Sequence, residues 1–374
     1  MRAVNYLPYI KSFFIKQYPV ELTYFVTSSC NFRCKHCFNW QNIGEKKKNE
    51  LSLDEIKKIT KKMPNLLRLL FSGGEPFLRK DLPEICQAFH DNTHALHISI
   101  PTNASLPRLI EEKTVRILKK CPNSFVNISL SLTQIGNKRD KFVKFKDSFN
   151  RFEETYKRLI KLKKRFNNLG VTVITTLNAE NQKEIRKIYN YATSELKVDN
   201  FGFNVVRGSP KLPHIKEVDL NYFNFLTKQI KKDSNCELAS VMKFPFSGIF
   251  LAKKDLQYEI YYKMRKLNEY LIPCYSGRIR GVITETGEVY PCENYMLEKP
   301  DLNFGSLREY NYDFVKLWTS AKAQRINKMI KNSKCFCTHE CDLETNILFN
   351  IRLFPRIFLM YLLNKRKRRI CLAL

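Results

Sequence analysis

Three thiols stand close together in the run Cys30-Asn-Phe-Arg-Cys34-Lys-His-Cys37. A tetrahedral zinc site needs a fourth ligand, and His36, held between two of the cysteines, has little freedom to supply it. Three thiolates suit instead a [4Fe–4S] cube with one iron left open for a further ligand. A second set comes much later: Cys274, then Gly287 and Cys292, then Cys335-Phe-Cys337-Thr-His-Glu-Cys341. Two complete cubes want about eight thiolates; these five, with the distant Cys371 as a remote sixth, point to one auxiliary cluster. Cys274, Cys292 and Cys341 head its ligand set, with Cys337 or Cys335 as the fourth. A structural zinc recruiting His339 stays open beside that reading. Between the two sets lies Phe71-Ser-Gly-Gly-Glu75-Pro76. Its paired glycines allow a close approach of backbone to a ligand, and its carboxylate can face an ammonium.

These residues need elements to hold them. Short β-rich runs recur at 21–27, 66–71, 96–101, 125–132, 171–177 and 201–206. Between them Ser52-Leu-Asp-Glu55 reads as a capping box that opens a helix towards Met63. Further amphipathic segments fall at 82–90, 106–120, 149–166 and 182–196. Six strands alternating with helices make a parallel α/β fold, open or rolled into a partial barrel, with chemistry at the C-terminal ends of the strands. A mostly helical stretch follows at 218–270, then a cysteine-rich region with a hairpin around Thr286-Gly287.

The Cys-x3-Cys-x2-Cys spacing resembles the signature of the radical S-adenosylmethionine (SAM) enzymes, and a Gly-Gly-Glu element one β/α unit later strengthens the likeness. The resemblance implies a partial (β/α)6 TIM-like barrel with SAM and its cluster at the mouth. It also implies reductive cleavage of SAM to methionine and a 5′-deoxyadenosyl radical, which takes a hydrogen atom from an inert carbon. Gly73, Gly74 and Glu75 then match the segment that meets the methionine amino group. Asn103 ends the third strand in Thr-Asn-Ala, where relatives commonly read Thr-Asn-Gly, and Ser131 stands where many relatives carry an acid. Asn178, Asn204 and Arg207 are candidate SAM-proximal groups, with loop caps and a solvated arginine as the other reading. The half Cys-x12-Gly-x4-Cys is similar to the SPASM and twitch extensions that house auxiliary clusters; the second half, Cys-x1-Cys-x3-Cys, is shorter than theirs.

The expected organisation is an N-terminal segment (1–20), a radical SAM core (21–210), a helical linker (211–270), a small cysteine-rich α+β SPASM/twitch-like domain (271–345) and a basic amphipathic tail (346–374). Hydrophobic residues at 44% exclude a disordered or collagenous chain. Residues 1–20 lack the features of a signal peptide, so the twelve cysteines are expected to work in a reducing cytoplasm, as metal ligands rather than disulfides. Cys86, Cys121 and Cys236 read as small buried side chains. Sixty-five Lys and Arg against thirty-six Asp and Glu leave a formal +29, an attraction for phosphate-bearing surfaces or substrates.

The apolar run at 347–363 is interrupted by Arg352, Pro355 and Arg356, so no membrane span is expected. Five cations follow it at 365–369. This composition suits an anionic membrane surface at the inner face, with packing on the barrel as the alternative. No nucleic-acid module is recognisable, and the aromatics are read as packing.

The leading expectation is an enzyme that abstracts hydrogen from a polar or lipid-linked substrate, fed by an electron donor such as flavodoxin or ferredoxin. A ribosomal-peptide maturase is the first alternative; the short stretch before Glu21 counts against a built-in leader-recognition domain. A non-catalytic iron–sulfur electron-transfer or scaffold protein is the second.

Overall fold

The computed structural model describes residues 7–44, 49–198, 200–241 and 247–371, with side chains described outside 7–8, 232–248, 250 and 365–371. The strands are β1 (Glu21–Thr27), β2 (Arg68–Gly73), β3 (His97–Thr102), β4 (Phe125–Ser131), β5 (Leu169–Leu177), β6 (Phe201–Val205), β7 (Arg280–Ile283), β8 (Glu288–Tyr290) and β9 (Gly305–Ser306). They form one sheet in the order β6-β5-β4-β3-β2-β1-β7-β8-β9. Strands β1 to β6 are all parallel to their neighbours, as a chain of β/α crossovers demands. Every residue of β1 is buried, the signature of a central strand covered on both faces.

The helix Leu53–Thr60 starts where the capping box puts it. Ser52 accepts from Glu55 N, and Glu55 Oε2 accepts from Ser52 N at 2.7 Å. Helices Leu82–Thr93, Pro107–Lys120 and Ser148–Lys163 each bury an apolar stripe. The expected helix at 182–196 is shorter, Ile185–Asn190, and continues as a π turn over Tyr191–Glu195.

The linear domain scheme and the packing differ. The chain forms two compact units, one of residues 1–216 and 276–328, the other of 217–275 and 329–374. The expected hairpin is present, with β7 and β8 antiparallel. Yet β7 also pairs in parallel with β1, Glu21 opposite Arg280, so the first half of the cysteine-rich region extends the sheet of the core. The free edge of β1 is the reason: its unpaired N–H and C=O groups are buried and need a partner.

The second unit is helical. Helices Leu220–Val241, Ser247–Leu267, Glu340–Leu348 and Phe354–Cys371 pack on one another, and the ring of Phe223 stacks on Tyr261 with centroids 4.4 Å apart. Among the described residues no single helix is long and apolar enough to cross a membrane; Glu340–Leu348 and Ile351–Asn364 qualify only as a pair, bent by 81°.

Candidate active site

In the first unit the loop that leaves β1 carries Cys30, Cys34 and Cys37, and the C-terminal ends of the other parallel strands hold it from several sides. At its root the β1–β2 register slips between Phe25 and Thr27. There the buried Glu50 accepts from Thr27 Oγ1 at 2.8 Å and Ser28 N at 2.9 Å, and is paired with Arg79 at 3.2 Å. The end of β2 closes on the loop through Gly74 N to Thr27 O and Glu75 N to Ser29 O, both 2.8 Å. A Cβ on Gly74 would meet Ser29 O at 2.0 Å, and one on Gly73, whose φ is +115°, would meet Thr27 O at 2.4 Å. The glycines are thus required by the chain's own backbone.

The Glu75 carboxylate reaches β3: Oε1 accepts from Thr102 Oγ1 at 2.9 Å and Phe77 N at 3.2 Å, and Oε2 accepts from Asn103 N at 2.7 Å. Burial raises its pKa to about 7, against the pull of these hydrogen bonds. Asn103 in turn donates to Asn31 Oδ1 at 2.8 Å, and Asn31 donates to Ser105 Oγ at 2.8 Å, a bridge from inside the cysteine loop to the end of β3.

Arg139, from the helix Asn137–Val143, is 1% exposed. It donates to Ser131 O at 2.6 Å and Asn103 O at 2.9 Å, and so ties the ends of β3 and β4. The same helix receives Arg33 N and Lys35 N on its last carbonyls, at Val143 and Phe142. His36 is stacked on Phe142, 5.1 Å between centroids, and its pKa is pushed down to about 4 by burial and then by Arg139. It is a neutral ring packed against that helix. From β5 and β6 come the Lys35–Glu180 pair at 3.0 Å, Trp40 Nε1 to Ser209 O at 3.0 Å, and the Arg207 guanidinium 4.7 Å from the Phe38 ring.

Asn178 is buried in a local turn, where it donates to Thr176 O and accepts from Glu180 N. Arg207 is no solvated arginine, because it pairs with the buried Glu293 at 2.6 Å. Asn204 sits in β6 opposite Thr176, half-buried.

Burial pushes all three thiols up: Cys30 to about 12, with Glu75 and then Cys37 adding to it, Cys37 to about 11, and Cys34 further, with Cys37 and Cys30 adding to it. Three half-buried thiols that repel one another as thiolates, with the cation of Arg139 acting on Cys34, make sense as ligands of a positively charged iron core, which offsets the desolvation. The donor set fits a three-thiolate cluster.

The second unit gathers Cys274, Cys335, Cys337 and Cys341. Cys337 is held well above the usual thiol range, first by burial, then by Asp342, Cys274 and Cys335. Residues 335–339 form no regular strand. Cys335 lies close enough to Cys337 to add to that rise, and side chains two apart share a side on extended backbone, so the spacing does not choose between them as the fourth ligand. His339 is buried and its Nδ1 meets Asp342 Oδ2 at 2.6 Å, while Asn346 Oδ1 accepts from Tyr275 N at 2.7 Å. Cys292 belongs to the first unit, buried at the N-terminus of the helix Glu293–Glu298. Among the described residues, no three Cys, His, Asp or Glu side chains converge as a single metal ion would require. Cys86 and Cys121 are buried core residues, and the side chains of Cys236 and Cys371 lie outside the described residues.

Sequence reasoning missed Asn31, Glu50, Arg79 and Arg139. Asn31 lies inside the cysteine motif and Arg79 just beyond Gly-Gly-Glu-Pro, so position alone could have flagged them.

The Radical SAM superfamily model matches residues 24–192, and the SPASM iron-sulfur cluster-binding domain model matches 274–342. The chain thus carries a radical SAM domain followed by a SPASM iron–sulfur domain. Its cofactors are therefore a SAM-binding [4Fe–4S] cluster, SAM and an auxiliary cluster. Among curated proteins, a GTP 3′,8-cyclase of Cronobacter sakazakii is 39% identical over 82 residues, 21% of this chain and 25% of that protein. An Fe-coproporphyrin III synthase of Methanosarcina barkeri is 28% identical over 218 residues, 57% of this chain and 47% of that protein. These matches span less than half the length of either relative.

Among solved structures, Streptococcus suis SuiB bound to S-adenosylmethionine superposes with a TM-score of 0.56 at 18% identity, over 83% of this chain and 68% of that one. Native anSMEcpe with bound AdoMet and Cp18Cys peptide gives 0.56 at 15%, over 92% and 99%. At such identities the likeness establishes the fold, a partial barrel of the radical SAM type.

Proposed function

We propose that the chain is a peptide-modifying radical SAM enzyme of the SPASM type. What supports a peptide substrate is the combination of a SPASM region with a fold shared, over most of the chain, with two proteins whose structures contain peptides, SuiB with precursor peptide SuiA and anSMEcpe with Cp18Cys. This reading stands ahead of the polar or lipid-linked substrate expected from composition. The longer sequence match, to a protein named for an iron porphyrin product, favours a tetrapyrrole as the second reading.

A cluster held by Cys30, Cys34 and Cys37 would supply the electron for reductive cleavage of SAM, and SAM the hydrogen-abstracting chemistry. The chain's part is to hold parts still. Cys30, Cys34 and Cys37 are the ligands offered at the mouth, Glu75 and Arg139 lock the ends of β2, β3 and β4 around them, and burial keeps water from the thiols. The +29 formal charge suits an acidic low-potential donor of the flavodoxin or ferredoxin kind, and cysteines used as cluster ligands suit a reducing cytoplasm.

Anaerobically reconstituted protein with dithionite should convert SAM to 5′-deoxyadenosine and methionine, and Cys37→Ala should abolish this. Unchanged cleavage in that variant would remove the site assignment. Mass spectrometry of short peptides encoded beside the gene, run against an iron porphyrin, separates the two substrate readings.

A further inference from the structure

The helix Phe354–Cys371 has two different sides. Towards the second unit it is seated: Ile357 is 6% exposed, Asn364 donates to Asp255 Oδ2 at 2.8 Å, and Arg356 pairs with Glu259 at 2.7 Å. It packs there on the helices Ser247–Leu267 and Leu220–Val241. On the opposite side Phe358, Leu359, Leu362 and Leu363 are 57, 56, 46 and 52% exposed. Positions i, i+1, i+4 and i+5 share one face, so these four large side chains form a continuous stripe in contact with water. Residues 365–369, Lys-Arg-Lys-Arg-Arg, follow directly. Apolar and cationic residues are thus segregated along the helix axis, and the apolar half keeps one face seated and one face open.

We propose that this open face is a membrane-docking surface for an anionic bilayer, with Phe358, Leu359, Leu362 and Leu363 at the acyl boundary and residues 365–369 among the headgroups. The stripe supplies insertion and the cation run supplies selectivity for negative lipid. Charge decides among the possible occupants. A second copy packed in parallel on the same face would bring two runs of five cations together, and one packed antiparallel would leave both runs without a counter-charge, whereas an anionic surface pairs with the stripe and the cations at once. The geometry describes an interfacial helix, since no single described helix is long and apolar enough to span. This surface is independent of the peptide reading, and either can fail alone.

The test is co-sedimentation of the full-length holoprotein with phosphatidylcholine vesicles, with and without about one-third phosphatidylglycerol. The protein should bind the anionic vesicles at least about tenfold better than the neutral ones, and added salt should weaken that binding. The variant F358S/L359S/L362S/L363S, whose changes are all at exposed positions, should keep its iron content and circular dichroism yet lose about tenfold or more in partition. Replacing residues 365–369 with glutamine should abolish the preference for anionic lipid. Equal sedimentation of the serine variant and the parent would overturn the proposal. So would a lipid-free dimer that the serine substitutions dissociate, because the face would then belong to a second copy.

Discussion

Gly74 shows how little room the cysteine loop has. The carbonyl of Ser29 lies where its side chain would begin, so Gly74→Ala must push β2 away from the loop that carries three thiols. The expected outcome is a protein that reconstitutes with about four fewer irons than the parent and cleaves SAM roughly a hundredfold more slowly. Iron analysis alongside the cleavage assay checks it, and full iron loading in the variant would mean that the strand ends can part without cost. Arg139 and Asn31 act at the same scale. Arg139 lies in no recognisable motif and Asn31 is a non-ligand position of one, yet each bridges two strand ends, and their hydrogen bonds join residues 36 and 72 apart in sequence. Long-range polar partners of this kind leave no local periodicity to read.

At the scale of elements, the capping box was legible because it is local: four residues hold both partners. What became of Glu55 beyond the cap was not. Its carboxylate also takes Arg308 at 2.7 Å and the Tyr312 hydroxyl at 3.1 Å, so the first helix of the core is fastened to the segment after β9. The Arg308 guanidinium holds the Glu55 carboxyl down at about 2. The folded chain therefore binds fewer protons here than the unfolded one, and the stability this carboxylate contributes is complete above its ordinary value near 4.5 and lost as pH falls towards 2. Glu55→Gln should cost about 1 kcal/mol near pH 7 and almost nothing below pH of about 2. Urea unfolding of both proteins across the acid range measures this; a constant difference at all pH values would assign the effect to packing.

At the scale of the whole molecule, the thiols are divided between two compact units. The three-cysteine loop and Cys292 lie in the first, Cys274, Cys335, Cys337 and Cys341 in the second. Reconstituted protein should carry about eight irons, and replacing Cys30, Cys34 and Cys37 together should leave about four. About twelve irons would mean a second auxiliary cluster. Stoichiometric zinc retained by the triple variant would support the His339 alternative instead.

Local pattern alone determined much of this protein: six strands at nearly their observed positions, the capping box, the hairpin at Thr286-Gly287, and a three-thiol loop placed at the mouth of a parallel sheet. Those features rest on period, spacing and covalent proximity, all of which a sequence displays. Tertiary structure decided what depends on partners far apart in the chain. It set β7 on the free edge of β1, Glu21 opposite Arg280, and so drew half of the cysteine-rich region into the core sheet. It gave the paired glycines a carbonyl to clear, brought Glu75 to Thr102 and Asn103, and buried Arg139 against the ends of β3 and β4. It also chose which face of the last helix is seated and which is left in water. The physical reason is the same each time: backbone pairing at an edge, close packing and burial are settled by whichever distant segment arrives, and no local period records its arrival.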